Sequence, residues 1–498
     1  MNLHVCQPSR IFFISCIICH VAFAIPPYTR GPVPNWMIPV ASRENGIAYL
    51  GAHHRLRVAV EEMQNGSSPF LVSVVGGSNT VGHGAINGFA WPRYLFNWLT
   101  DAFPNRNITM HNGAVAGAMS EYISLCNGIH IPLESNMIIL EYSHNDEHAP
   151  LPLFDNHVRR SFERLLRKLL DYPKRPAILL LHTYAWHETS DPKGKYWGNA
   201  ERELGEIGLY YSLPAVSVRG CCYHLMRKNV SGFRVDHARR IPEMFEVLKF
   251  ETWYSDGVHA AGDTGYRGMA ELLIHLLMKV STGFKTMPLS PTDVGAAQED
   301  LPPPMIPGNL PTTKDVCFIG EVLRKCALSP LNEGWSWVDD AINHPGRQPK
   351  LGFSSKTVGA AITFVVDTRR HGGLIKHSDG PTSDVEPTVT LGIAHLRSYE
   401  HMGQASIACS NNCTCKGDLM LEGMQERKVS QRHIHSLQVN QVDACRITIT
   451  VLPTTKSDGH SVKIQGMFVS EEARNDNMAR VITTGVLDSM ADTRGIQI

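Results

Sequence analysis

The sequence predicts an α/β domain built on a parallel sheet, followed by a β-sandwich, and three observations predict it. Residues 70–75, 137–141 and 177–182 are nearly continuous apolar runs, the pattern of strands buried on both faces of a sheet. Helical patterns at 91–103, 158–171 and 264–280 alternate with them, as right-handed crossovers between parallel strands require. Beyond a proline-rich stretch the period changes. Residues 361–366, 389–395, 405–409, 445–451 and 461–468 read as short strands between turns, with hardly any helical repeat.

In chain order, Arg10 precedes an apolar stretch at 11–24 that ends Ala22-Phe23-Ala24 and is followed by Pro26 and Pro27. This is the charge, core and small-residue order of a secretory signal, so 1–24 is expected to be removed; an uncleaved signal anchor is the competing reading. The core is too short for a stable membrane span, which needs about 20 apolar residues. The α/β domain then occupies 25–285. Seven prolines (Pro288, Pro291, Pro302, Pro303, Pro304, Pro307 and Pro311) mark 286–315 as an extended linker. A β-rich accessory domain follows at 316–470, and 471–498 reads as a polar tail.

Composition narrows the function. Of 498 residues, 47 are Lys or Arg and 47 Asp or Glu, and no basic stripe stands out, which argues against a nucleic-acid partner. At 43% hydrophobic and 19% charged residues, wholesale disorder is excluded. Asn-x-Ser/Thr sequons at Asn65, Asn107, Asn229 and Asn412 agree with a secretory route. Of the 12 cysteines, Cys6, Cys16 and Cys19 fall in the signal, and the odd number left implies at least one free thiol in a disulfide-forming compartment. Cys317 with Cys326 is the expected local pair, and Cys126 the candidate free thiol. Cys409, Cys413, Cys415 and Cys445, near His433 and His435, could hold zinc, but in a secreted chain disulfides are the stronger expectation.

The chemistry is carried by four short segments. The first strand exits through Val75-Gly76-Gly77-Ser78-Asn79-Thr80, which places a serine hydroxyl above the carboxyl edge of the sheet, where α/β active sites form. Asp256-Gly257-Val258-His259 precedes the last helix; an aspartate three residues before a histidine can orient it as a base within one turn. Oxyanion donors are offered by Asn112-Gly113-Ala114-Val115-Ala116-Gly117, through a glycine N–H, and by Ser143-His144-Asn145-Asp146, through the Asn145 amide. Each segment alone is also an ordinary turn.

Taken in order, these blocks resemble the SGNH hydrolases, the GDSL-like esterase and lipase superfamily, over roughly residues 70–280. The resemblance implies a flavodoxin-like, three-layer α/β/α fold and ester hydrolysis without metal or cofactor. It makes Ser78 the nucleophile, His259 the base and Asp256 its partner. The oxyanion hole would comprise the N–H groups of Ser78 and Gly117 and the side chain of Asn145. Gly117 is preferred to Gly113 because residues 114–120 are similar to that block in rhamnogalacturonan acetylesterase-like members. Two positions depart from the pattern. Gly77 stands where the name motif has Asp, which removes a side chain that usually braces the nucleophile turn, and Ser143 replaces a glycine.

Other catalytic templates fail: the sequence has no Gly-x-Ser-x-Gly elbow, no His-Glu-x-x-His helix and no Gly-x-x-x-x-Gly-Lys loop. Asp146, Glu147 and His148 read as a polar loop rather than a metal or acid–base cluster. In the second domain Trp335, Trp337 and Tyr399 are candidates for stacking on sugar rings, against the alternative that they are packing residues. The expectation is a secreted or Golgi-lumenal esterase that removes O-acyl groups, foremost acetyl, from a glycan. The alternatives are acyl transfer to a sugar hydroxyl and glycan binding without turnover.

Overall fold

A computed structural model describes residues 25–85, 89–189, 192–237, 250–309, 315–328, 333–340, 342, 350–370, 388–425 and 431–470. The expected signal at 1–24 and tail at 471–498 lie outside them. No described helix is long and apolar enough to cross a membrane.

The first domain is a six-stranded sheet between two helical layers. Its strands are β1 (Ile47–Tyr49), β2 (Phe70–Gly76), β3 (Ile108–Asn112), β4 (Met137–Glu141), β5 (Ala177–His182) and β6 (Ala215–Ser217), in the order β1-β6-β5-β4-β2-β3. All neighbours are parallel except β1, which closes one edge antiparallel to β6. The apolar runs face both ways. On β4, Met137 and Ile139 enter one core while Ile138 and Leu140 enter the other; on β5, Ala177, Leu179 and Leu181 oppose Ile178 and Leu180.

One core is covered by helices His54–Asn65, Trp91–Ala102, Val218–Arg227 and Arg267–Gly283, and the other by Ser120–His130, His157–Leu170 and Glu201–Tyr210. The strand order turns back at β2, so the exits of β2 and its neighbours β3 and β4 lie together at the carboxyl edge. A short parallel pair, β7 (Arg234–His237) with β8 (Thr252–Tyr254), leads into the 255–260 loop beside that edge.

The second domain is the expected β-sandwich. Its larger sheet combines β9 (Val316–Ile319), β10 (Ser336–Asp339), β11 (Leu351–Ser355), β13 (Thr388–Arg397), β15 (Cys415–Lys416), β17 (Gln431–Asn440) and β19 (Val462–Ser470). The smaller one combines β12 (Ala361–Val366), β14 (Gln404–Ser410), β16 (Met420–Glu422) and β18 (Cys445–Val451). Inward residues such as Phe353, Phe364, Leu391, Ile449 and Ile464 fill the space between them.

Three expectations are corrected here. The proline-rich stretch is not an extended tether. Pro291–Gln298 is a helix with a Ser290/Asp293 capping box, and Asp293 pairs with Arg57 and His54 of the first domain. Further on, buried Glu163 accepts the N–H groups of Met305 and Ile306 and the Asn309 amide, so the segment is bonded along the helix His157–Leu170.

Nor does Cys317 pair with Cys326. The helix Gly320–Cys326 carries Cys326 against the sandwich core, while β9 lays Cys317 on the helix Ser120–His130, where it bonds Cys126. Cys126 is therefore not a free thiol; Cys221, Cys222 and Cys326 are the free ones among the described residues. Cys409 pairs with Cys415 and Cys413 with Cys445, while His435 bonds the Asp418 carbonyl and the His433 ring packs on His395.

The two domains share a core. Ala394, Ile434 and Phe468 on the outer face of the larger sheet join the cluster around Tyr122 and Phe162, and a nearly buried Lys168–Asp315 pair of 2.8 Å lies beside it. Trp335 is buried in the sandwich core, and Trp337 is half-buried and packs edge-on against Phe353.

Candidate active site

Ser78 begins the four-residue helix Ser78–Val81 at the exit of β2, and only 2% of it is exposed. Its Oγ lies 2.9 Å from His259 Nε2. The other ring nitrogen, Nδ1, lies 2.8 Å from Asp256 Oδ2 and 3.0 Å from Oδ1. Asp256 also accepts the N–H groups of Val258 and His259, at 3.0 and 2.8 Å, so the loop's own backbone fixes its carboxylate under the ring. Burial by itself raises the Asp256 pKa, but the His259 contacts and these two amides outweigh it and hold the group well below the usual carboxylate range. An ionised Asp256 accepts from Nδ1–H, which leaves Nε2 free to take a proton from the Ser78 hydroxyl.

The loop carrying His259 is tied to the Ser78 turn by Asn79, a residue that no sequence motif marks for this role. Its Oδ1 accepts the Ala260 N–H at 3.1 Å and the Tyr266 hydroxyl at 3.3 Å, and its Nδ2 donates to the Val258 carbonyl at 3.4 Å. Gly84, at φ +82°, packs beneath the same loop; a Cβ there would meet Ser255 Oγ at 2.1 Å and His259 Cβ at 3.0 Å.

Asn145 follows β4 and is fully buried beside the Ser78 turn, yet neither its Nδ2 nor its Oδ1 has a hydrogen-bond partner among the described residues. A buried, unsatisfied carboxamide is costly, and such groups concentrate where a ligand completes them. The departure at Gly77 has its reason here. A Cβ on Gly77 would lie 2.2 Å from Asn145 Nδ2 and 2.3 Å from Oδ1, so the space an aspartate would use is filled by the Asn145 side chain. His144, next to it, also has a buried Nε2 without a partner among the described residues; burial first, and then His259, push its pKa down to about 4.

Gly117 lies between β3 and the helix Ser120–His130 at φ +73°, a conformation that favours glycine. Its loop is held to the Ser78 turn by Val115 N–H on the Gly76 carbonyl, 3.1 Å, and by Asn112 Nδ2 on the Thr80 carbonyl, 3.1 Å. Gly113 is engaged differently: its N–H donates to the Val74 carbonyl, and a Cβ there would meet the His130 carbonyl oxygen. Of the two glycines, Gly113 spends its amide on the sheet, whereas no backbone hydrogen bond from the Gly117 N–H occurs among the described residues.

The polar loop after β4 holds no convergent cluster. Asp146 caps the helix Ser120–His130 through the Ser120 N–H and hydroxyl, at 2.9 and 2.6 Å; the Glu147 carbonyl accepts from Arg159; and His148 bonds the Asn199 carbonyl. The loop after β5 packs Trp186 flat on Tyr223 and leaves Trp197 58% exposed, an aromatic surface that the sequence reading had not resolved.

No protein-family model and no curated protein matches the chain. Solved structures do. A two-domain esterase active on acetylated mannans, solved alone and co-crystallised with mannopentaose, aligns with a TM-score of 0.58 at 19% identity, covering 87% of this chain and 99% of that one. A catalytic mutant of an acetylxylan esterase from Geobacillus stearothermophilus aligns over 42% of this chain and 95% of that one, at 15% identity and a TM-score of 0.30. The chain thus shares its two-domain fold with the esterase active on acetylated mannans over most of the length of both chains.

Proposed function

We propose that this chain is a serine esterase of the secretory pathway that removes O-acyl groups, foremost acetyl, from a glycan. The observation that carries the reading is the continuous hydrogen-bonded line from Asp256 through His259 to Ser78 Oγ, with the unsatisfied Asn145 amide beside it. In the first half-reaction Ser78 Oγ attacks the ester carbonyl carbon as its proton passes to His259 Nε2. The carbonyl oxygen, now negative, is received by the N–H groups of Ser78 and Gly117 and the Nδ2 of Asn145. Collapse of this intermediate breaks the bond to the sugar oxygen, which takes the proton back from His259. Water then repeats the sequence on the acyl-Ser78 ester and releases the acid.

A glycan ester is supported by the fold shared with an esterase whose substrates are acetylated mannans. The secretory setting is supported by three disulfides and by the exposure of all four sequon asparagines. The test is labelling with a serine-reactive fluorophosphonate, alongside acetate release from a panel of acetylated polysaccharides, for the wild type, Ser78→Ala and His259→Ala. An adduct on Ser78, with release lost in both variants, is expected. Well-folded protein that takes no label and releases no acetate would leave the site a binding site, and product transferred to an added sugar acceptor would make the enzyme a transferase.

A further inference from the structure

Beneath the nucleophile turn lies a carboxyl group that the mechanism does not use. Glu141 is the last residue of β4, in register with Gly76 at the end of β2, and it is fully buried. Its Oε2 accepts the Thr80 hydroxyl at 2.9 Å and the Gly77 N–H at 3.3 Å; its Oε1 accepts the Thr183 hydroxyl at 2.6 Å. Resting on the reading of Ser78 as nucleophile, we infer that Glu141 is a positioning residue, whose side chain locks the Ser78 turn to the exits of β4 and β5.

The direction of the hydrogen bonds makes the case. The indole N–H of Trp91 can only donate, and it donates to Thr80 Oγ1 at 3.3 Å. The Thr80 proton is thereby turned toward Glu141. The Gly77 N–H is likewise a donor only, so Oε2 faces two donors and must be a bare acceptor oxygen. These two donors flank Ser78 on either side in the chain, so one oxygen sets where the nucleophile turn sits. The second oxygen engages Thr183, whose carbonyl accepts the Ser143 hydroxyl and the Asn199 amide, and Ser143 is two residues from Asn145. One side chain thus joins the exits of β2, which carries Ser78, of β4, which carries Asn145, and of β5.

This device takes the place of the side chain missing at Gly77, where Asn145 fills the space. It carries a cost: burial pushes the Glu141 pKa up to about 7, and the bonds from Thr183, Thr80 and Gly77 offset this only in part. A buried ionisable group kept at a stability cost beside a reactive residue is the expected mark of a functional constraint.

The experiment compares Glu141→Gln, Glu141→Leu and Thr80→Val with wild type and Ser78→Ala, reading kcat, KM, the fluorophosphonate labelling rate and near-ultraviolet circular dichroism. Glutamine retains an acceptor oxygen for Thr80 and Gly77 and can donate to the Thr183 hydroxyl, so it is expected to keep kcat within about threefold. Leucine offers no acceptor and is expected to lower kcat and the labelling rate by about 10- to 100-fold with KM little changed. Thr80→Val, which loses the hydroxyl but keeps the shape, tests the same link should the leucine variant not fold, and is expected to fall in the same direction. Full activity in a folded leucine variant or in Thr80→Val, or a glutamine variant as impaired as leucine, would overturn the positioning role. Activity surviving in Ser78→Ala would instead overturn the reading of the site itself.

Discussion

Replacing Gly77 by alanine tests the proposed oxyanion donor Asn145 through its neighbour, without changing Asn145 itself. The backbone at Gly77 has φ −88°, which any residue adopts, so the substitution meets no conformational penalty there. What it meets is Asn145. The new methyl would lie 2.2 Å from Nδ2, 2.3 Å from Oδ1 and 2.5 Å from Cγ, whereas ordinary contact begins near 3.4 Å, so the carboxamide must retreat by more than an ångström. Oxyanion hydrogen bonds are made at 2.7–3.1 Å and weaken steeply beyond, so this displacement forfeits the donor. The expected cost is that of removing one such donor, about 10²- to 10³-fold in kcat, or about 2.7–4 kcal/mol. The assay is acetate release by Gly77→Ala, Asn145→Ala and the double variant. Since both substitutions remove the same interaction, the double variant should be no slower than Asn145→Ala alone, which gives a coupling energy close to either single effect. Gly77→Ala within about threefold of wild type, or effects that simply add, would refute the argument that Gly77 is glycine to make room for Asn145.

Three further outcomes follow from the geometry. Asp256→Asn should lower kcat/KM by about 10³- to 10⁴-fold with little change in binding, because the amide no longer fixes the His259 tautomer. A carboxylate with a depressed pKa contributes stability above its ordinary range and loses it as pH falls below that range, so the melting temperature of the variant should depend less on acid than that of the wild type. Cys126→Ala combined with Cys317→Ala opens a crosslink between residues 191 apart and should cost about 2–5 kcal/mol in denaturant unfolding; an unchanged midpoint would show that the interdomain core alone suffices. Enzymatic deglycosylation of protein from a eukaryotic secretory host should convert Asn65, Asn107, Asn229 and Asn412, each exposed, to aspartate; sites found bare on secreted protein would count against the secretory assignment.

The sequence by itself determined the architecture, because its signals are local and periodic. Runs such as 137–141 and 177–182 reappear as β4 and β5 to the residue, since a strand buried on both faces is built mostly of apolar side chains. The hydrogen-bonded line from Asp256 to Ser78 was legible for a similar reason: Asp256 and His259 share one loop turn, and Ser78 must follow a strand for its hydroxyl to reach the carboxyl edge. The order of four blocks along the chain then did what no single block could. Only the tertiary structure decided the rest. Cys126 and Cys317 are 191 residues apart and no spacing rule joins them, whereas Cys317 and Cys326 look like a pair until a helix carries them apart. The prolines of 286–309 suggested a tether, but the prolines do not reveal that Asp293 and Asn309 find buried partners on the first domain. Glu141 closes an otherwise apolar run, and Gly77 reads in the sequence as a missing brace. Their meaning lies in who occupies the space between β2, β4 and β5, and that is set by packing across the sheet edge, which local sequence does not encode.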